Sequence, residues 1–222
     1  MDILLIGAPG AGKGTQAEKL SQLFPLRHIA SGDLFRKAFE EQTELGVKAQ
    51  AYVDLGELVP DEMTIPLVIR HIEEPESRQG VMLDGFPRTL AQAQALDAEL
   101  QLINREIDLA IYLKVSRDEL LERLAGRVFC QANQHVYHVR FLPPKVAGRC
   151  DLDGSRLYQR LDDAGEAMRR RLVIFYNQTS QVLDYYRKQH KLREVDGNQR
   201  IEQVHALLLN EINDPKGREK KT

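Results

Sequence analysis

The sequence predicts an α/β fold, a parallel sheet covered by helices on both faces. Three observations carry this. Short apolar runs alternate with stretches of helical periodicity along the chain. The first run, Ile3-Leu4-Leu5-Ile6, contains no polar residue, as a strand buried on both faces requires. A glycine-rich loop, Gly7 to Thr15, joins that run directly to a helical pattern.

The strand candidates in order are 2–6, 27–30, 81–83, 109–113 and 192–195. Ser116 with Glu119 reads as a capping box opening the helix through Leu120 and Leu124. Asp163 with Glu166 resembles another, before a long helix whose apolar positions Met168, Leu172, Phe175, Val182 and Tyr186 keep helical spacing. Ile201, Val204, Leu208 and Ile212 form the face of a final helix. Two stretches interrupt the alternation. Residues 33–74 are helical in pattern throughout. Residues 127–162 set Phe129, Val136, Tyr137, Val139 and Phe141 among Gly, Pro, Asn and Asp, which reads as a small β insertion. Segments this long between elements are usually functional, active-site lids among them.

Composition excludes several classes. A chain of 222 residues suffices for one large domain carrying inserted subdomains. Its formal net charge of −2 gives no electrostatic case for nucleic acid or an acidic membrane. No apolar run approaches the roughly 20 residues needed to span a bilayer. Met1-Asp2 leads straight into a strand, without the basic start of a secretory signal. Two cysteines make no disulfide framework, and a reducing cytoplasm is the expected location. The polar tail 215–222 is expected to fray.

Gly7 to Thr15 fits G-x-x-x-x-G-K-[ST], so the predicted sheet is a P-loop sheet. Glycines let successive backbone N–H groups turn toward one anion, and the following helix adds its positive dipole end. Gly10, Ala11, Gly12, Lys13, Gly14 and Thr15 are therefore expected to hold a nucleoside triphosphate. Lys13 would reach its β/γ-phosphates, and the Thr15 hydroxyl would help hold Mg²⁺. After the strand 81–83 comes Asp84-Gly85-Phe86-Pro87-Arg88. An acid at a strand end near a phosphate loop suits Mg²⁺ or its waters, although Asp-Gly is also a common turn.

At this point the sequence resembles the adenylate kinases, nucleoside monophosphate kinases, in their long-lid form. The matching pieces are Gly7 to Thr15, Ser31-Gly32-Asp33, Asp84 to Thr89, Gly126-Arg127, Val136-Tyr137-His138, Pro143-Pro144-Lys145 and Asp162-Asp163. They come in the family's order and extend to about Gly197. The resemblance implies three parts: a core of 1–30, 60–126 and 164–222, an AMP-binding insertion at 31–59, and a β lid at 127–163. It implies reversible Mg²⁺-dependent transfer, ATP + AMP giving two ADP, by a monomer with no nucleic-acid or membrane partner.

It also implies roles. Ser31 and Arg36 match positions that contact the monophosphate, and Ser31 would equally serve as an N-cap. Glu57, Leu58 and Val59 match a segment against adenine and ribose. Gly85, Phe86, Pro87 and Arg88 match the strip at the AMP phosphate, with Arg88 as clamp. Gln92 matches the adenine reader, although Thr89-x-x-Gln92 is also a capping box. Arg123 and Arg127 before the lid, and Arg160 and Arg171 after it, match arginines that handle the phosphates. Guanidinium suits that task because its planar fork meets phosphate oxygens bidentately. Periodicity does not choose among Arg169, Arg170 and Arg171, and Arg123 has a rival partner in Glu119 at i, i+4. Val136 and Tyr137 match a stretch covering the adenine of ATP, and Gln199 a backbone contact to it. Asp162 and Asp163 match an acidic pair at the lid hinge, with helix capping as their plain reading.

The lid leaves its metal open. Cys130-x-x-Asn133 and Cys150-x-x-Asp153 have the spacing of a structural zinc site, but asparagine is a poor ligand. His135 or His138 would substitute, or polar hydrogen bonds would hold the same corners, so no zinc is assigned. A Cys130–Cys150 disulfide is disfavoured in a reducing compartment. Three rival functions stand beside the resemblance: a kinase for UMP or CMP, a GTPase switch and a zinc-bearing binding module. The first usually has a short lid, and the second needs an N-K-x-D guanine reader that this chain lacks. The incomplete ligand set and the near-neutral charge weigh against the third.

Overall fold

A computed structural model describes residues 1–214; the tail expected to fray lies outside the described residues. The core sheet pairs β1 (Ile3–Ile6), β2 (Arg27–Ala30), β3 (Val81–Asp84), β4 (Leu109–Lys114) and β8 (Leu192–Asp196) in the order β2-β3-β1-β4-β8. Every pairing in it is parallel, as the apolar runs require. Ile3, Leu4, Leu83, Ile111 and Leu113 are fully buried within it. The chain switches sides of the sheet at β1, which lies between β3 and β4. In such sheets the crevice at the carboxyl ends of the strands beside that point is where ligands bind.

Helices cover both faces. α1 (Lys13–Ser21), α5 (Leu90–Leu102), α6 (Arg117–Ala125) and α9 (Ile201–Asn213) bury Leu20, Leu96, Leu120 and Leu208 respectively. α7 (Gly165–Ile174) passes through a π-helical turn at Phe175–Thr179 into α8 (Ser180–Lys188). The turn keeps Phe175 and Val182 on the buried side, and the long predicted helix is thus continuous but locally widened. Among the described residues no helix is long and apolar enough to cross a membrane.

The two interruptions fold as small units with their own cores. α2 (Ser31–Glu40), α3 (Glu44–Asp54) and α4 (Asp61–Glu73) fill the helical stretch, and Phe35, Ala49 and Val59 pack together there. Thr43 caps α3 by accepting from Gly46 N at 3.0 Å. The β insertion is an antiparallel sheet, β6 (Val136–His138), β5 (Arg127–Cys130) and β7 (Leu157–Tyr158), over a core of Cys130, Tyr137 and Cys150. Its strand β6 ends at His138. Val139 and Phe141 lie beyond, 65% and 43% exposed, and Val136 is exposed too, so of the expected aromatic and β-branched residues Phe129 and Tyr137 are the buried ones.

Three expectations need correction. Asp2 stands before β1, because its carboxylate accepts from Val81 N and from Arg105. Ser116 occupies the N-cap of α6 without a side-chain capping bond, since Glu119 turns to Arg123 instead. Asp163 does not cap α7. Ala164 is the N-cap, and the Asp163 carboxylate is taken by two arginines.

Candidate active site

The glycine loop leaves β1 and reaches α1 through two left-handed residues, Gly10 (φ 86°) and Gly12 (φ 91°). A Cβ on Gly10 would also sit 2.9 Å from Leu124 Cγ in α6, so glycine is required there twice over. Lys13 opens α1 and folds back over the loop. Its Nζ donates to the carbonyls of Gly7 (2.9 Å) and Ala8 (3.3 Å) and lies 3.8 Å from Asp84 Oδ1. Burial, countered by Asp84 and reinforced by Arg88, Arg127 and Arg171, brings the Lys13 ammonium down to about 8. Burial works against the Asp84 carboxylate too. Lys13 and His28 outweigh it and hold Asp84 ionised, below its ordinary value.

This loop borders a cleft of about 930 Å³, at the upper end of what one drug-sized ligand needs and room enough for two nucleotides. All the sequence-predicted site residues line it except Phe86 and Pro87. Phe86 is buried in the core, and Pro87 faces a smaller recess beside Gly7 and Arg171.

Beside the loop, at the ends of β2 and β3, Ser31 Oγ donates to Gly85 O at 2.7 Å instead of capping α2, whose N-cap is Ala30. Arg88 Nε donates to the same carbonyl at 2.6 Å. Burial, then the nearby Arg171 charge, lowers Arg88 to about 10. Arg36 pairs with Asp33, and its buried Nε has no partner. Gln92 is 2% exposed; its Oε1 accepts from Arg88 N at 2.7 Å, and Thr89 Oγ1 accepts from Gln92 N. Glu57 binds Arg170 at 2.7 Å. That pair separates the three consecutive arginines: Arg170 serves Glu57, while Arg171 turns into the cleft.

The lid side brings more guanidinium. Arg127 donates through Nε and Nη2 to Asp163 (2.7 and 2.5 Å), and Arg171 Nη1 donates to Asp162 Oδ2 and Asp163 Oδ1, both at 2.7 Å. Asp163 has no solvent exposure; burial opposes its charge, but Arg127 and Arg171 keep its pKa below the ordinary carboxylate value. Arg160 lies with its Cζ 3.3 Å from the Phe129 ring centroid and donates to Gln134 Oε1 at 2.9 Å. Burial lowers it to about 10, and its buried Nε has no partner. Arg123 pairs with Glu119 at 2.7 Å, the rival contact anticipated for it. Val136 stands on the cleft wall, whereas Tyr137 is buried with its hydroxyl accepting from Asp151 N. Gln199 borders the cleft and donates to Asp196.

A cleft that collects Lys13, Arg36, Arg88, Arg127, Arg160 and Arg171, with unpartnered buried guanidinium nitrogens on Arg36 and Arg160, suits polyanions. Burial first, and neighbouring guanidinium charge second, disfavour the charged forms of Lys13, Arg88 and Arg160, and phosphate groups would relieve that.

Three participants escaped the sequence. His28 on β2 lies 3.8 Å from Asp84 Oδ2, visible only once β2 pairs with β3. Phe129, expected as lid core, is also the platform under Arg160. Asp61 binds both Thr89 and Gln92, and in sequence was merely an acid after Pro60.

The lid holds a second cluster. Donor atoms of Cys130, His135, Cys150 and Asp153 all lie within 4.8 Å of one another. His135 Nδ1 is 3.3 Å from Cys150 Sγ and 3.4 Å from Asp153 Oδ2, and Cys130 Sγ is 3.1 Å from Asp153 Oδ2. Asn133 stands outside, donating to Asp153 Oδ2 at 2.8 Å. His138 is excluded: its Nδ1 accepts from Arg140 N and Phe141 N.

Comparison with known proteins agrees with this geometry. The family model described as adenylate kinase matches residues 5–191. The adenylate kinase of Carboxydothermus hydrogenoformans is 48% identical over 212 residues, 96% of this chain and 99% of that one. Those of Staphylococcus aureus and Staphylococcus epidermidis are 47% and 46% identical over 204 residues, 92% of this chain and 95% of theirs. With the phosphate loop, the arginine-lined cleft and these relatives in agreement, the chain belongs to the adenylate kinase family.

Proposed function

We propose that the cleft is a two-nucleotide site in which Lys13 and the glycine loop hold ATP while Ser31, Arg36, Arg88 and Gln92 hold AMP. The reaction is the family's reversible phosphoryl transfer between ATP and AMP. The observation that carries the assignment is the convergence of two buried cations on one cleft, Lys13 from the loop after β1 and Arg88 from the strip after β3. Transfer asks mainly for alignment and charge neutralisation, and the side chains present supply both. An AMP phosphate oxygen attacks the γ-phosphorus in line, and the ADP oxygen leaves. Arg123, Arg127, Arg160 and Arg171 surround the moving group, with Asp162 and Asp163 fixing Arg127 and Arg171. No side chain becomes a covalent nucleophile. Closure of the lid excludes water as a competing acceptor.

Thr15 and Asp84 suit Mg²⁺, since both border the cleft and Asp84 is held ionised. Bound there, the ion would neutralise β- and γ-phosphate charge. Glu57, Leu58 and Val59 line the AMP base and ribose; Val136, Tyr137 and Gln199 line the ATP base. The parts are a core of 1–30, 60–126 and 164–222, an AMP-binding unit at 31–59 and a lid at 127–163. The protein acts as a cytoplasmic monomer whose partners are ATP, AMP and ADP. Turnover of AMP, CMP, UMP and GMP with ATP tests the base assignment: AMP is preferred, and equal use of CMP or UMP would contradict it.

The lid cluster fits a structural zinc ion. Two cysteine sulfurs, an imidazole nitrogen and a carboxylate would supply the four ligands that structural zinc takes, and Asn133 and Ser155 N orient the carboxylate from outside. Cys130, His135, Cys150 and Asp153 would hold the ion, with His135 taking the place that position 133 leaves vacant. Protein purified without added zinc should carry about one equivalent by elemental analysis. H135A should lose it and melt several degrees lower, while N133A retains it. Zinc retained in H135A and lost in N133A would reverse the assignment.

A further inference from the structure

We propose that Asp61 locks the side-chain amide of Gln92 in one orientation and thereby sets the base selectivity of the acceptor site. This rests on Gln92 as the base reader. Asp61 opens α4, where the helix N-terminus favours a carboxylate. Both of its oxygens are occupied: Oδ1 accepts from Gln92 Nε2 at 2.6 Å, and Oδ2 accepts from Thr89 Oγ1 at 3.0 Å. The other end of the Gln92 amide is also fixed, because Oε1 accepts from Arg88 N at 2.7 Å.

A free glutamine reads either of two complementary edges, since a half-turn of its amide exchanges donor and acceptor. Here the half-turn is blocked at both ends. It would set Oε1 against the Asp61 carboxylate and the NH₂ group against the Arg88 N–H. Gln92 is 2% exposed, so no water would repair either contact. The locked amide retains one N–H and one oxygen lone pair toward the cleft, in fixed order. Adenine offers a ring-nitrogen acceptor beside its N6–H₂ donor, which matches. Hypoxanthine and guanine carry O6 and N1–H, and the order is reversed. Asp61 is thus a positioning residue that touches no substrate, yet it decides which purine the site accepts. It also ties the start of α4 to the Arg88–Gln92 strip, coupling base recognition to the phosphate clamp.

D61N tests this, with AMP and IMP as alternative acceptors and ATP as donor. An Asn side chain satisfies either amide orientation, so D61N removes the charged half of the lock and leaves only the Arg88 N–H to oppose the half-turn, while the packing is kept. The ratio of kcat/KM for AMP over IMP should fall about tenfold or more, chiefly through KM. Parallel changes for both acceptors would overturn the lock. Q92L separates the two layers: it should raise the KM for AMP strongly, and an unchanged KM would overturn the reading of Gln92 and the lock with it. If D61N folds poorly, nuclear magnetic resonance of the wild-type protein decides. The Gln92 side-chain protons, assigned by their loss in Q92L, should include one shifted well downfield by the carboxylate; shifts of an ordinary solvated amide would overturn the proposal.

Discussion

Replacing Lys13 with Met lowers turnover by about a hundred- to a thousandfold or more, the range seen when one charge-stabilising donor is removed from a preorganised site. Its Nζ is held at the mouth of the loop by two carbonyls and by Asp84, so without phosphate it already points where charge is to be neutralised. The fold should survive. Burial already disfavours the Lys13 charge and Met fills a similar volume, but Asp84 loses one of the two groups that hold it ionised, so urea unfolding should show a loss of about 1–3 kcal/mol. The same burial makes a pH prediction. With the Lys13 pKa at about 8 in the folded protein and near 10.5 when unfolded, the unfolded chain holds the extra proton between those values. The Lys13 contribution to stability therefore rises with pH across that window. Triphosphate bound at Lys13 reverses the shift, so ATP binding at pH 8.5 should take up protons. Calorimetry in buffers of different ionisation enthalpy measures the uptake, and K13M should abolish it.

Asp163→Asn should be the most destabilising conservative change in the hinge, by about 3–5 kcal/mol, because it strands the Arg127 guanidinium and leaves Arg171 with Asp162 alone. Asp162 is the control. It pairs with Arg171 alone and is slightly exposed, so D162N should cost clearly less. Urea unfolding compares the two, and equal losses would contradict a shared central role for Asp163. Activity should fall more than stability in D163N under native conditions. Arg127 and Arg171, once released, no longer hold one geometry at the phosphates, and small misplacements are costly there.

The contrast between these residues shows where sequence was sufficient. The loop was legible because its chemistry is local: glycines, lysine and threonine act within nine positions of one another. The central strands β1, β3 and β4 were legible because burial on both faces demands apolar runs, and the edge strands β2 and β8, which carry Arg27, His28, Arg193 and Glu194, because they fall in the alternation between helical patterns. Asp163 was read as a cap because its partners, Arg127 and Arg171, are remote or hidden among neighbours of the same type. Ser116 failed for a related reason, since Glu119 preferred an arginine one turn on to the backbone. Position 133 looked decisive for a metal until the hairpin turned His135 toward Cys150 and Asp153. Asp61 and His28 carried no signal at all. Their roles exist only after α4 meets α5 and β2 meets β3.

We propose that donor and acceptor occupy separate subsites of one cleft. Separate equilibrium affinities for ATP and for AMP in K13M and R88M test it most directly. ATP affinity should fall at least tenfold in K13M and stay near wild type in R88M, while AMP affinity behaves in the opposite way. Loss of both affinities together in either variant would contradict the division of the site.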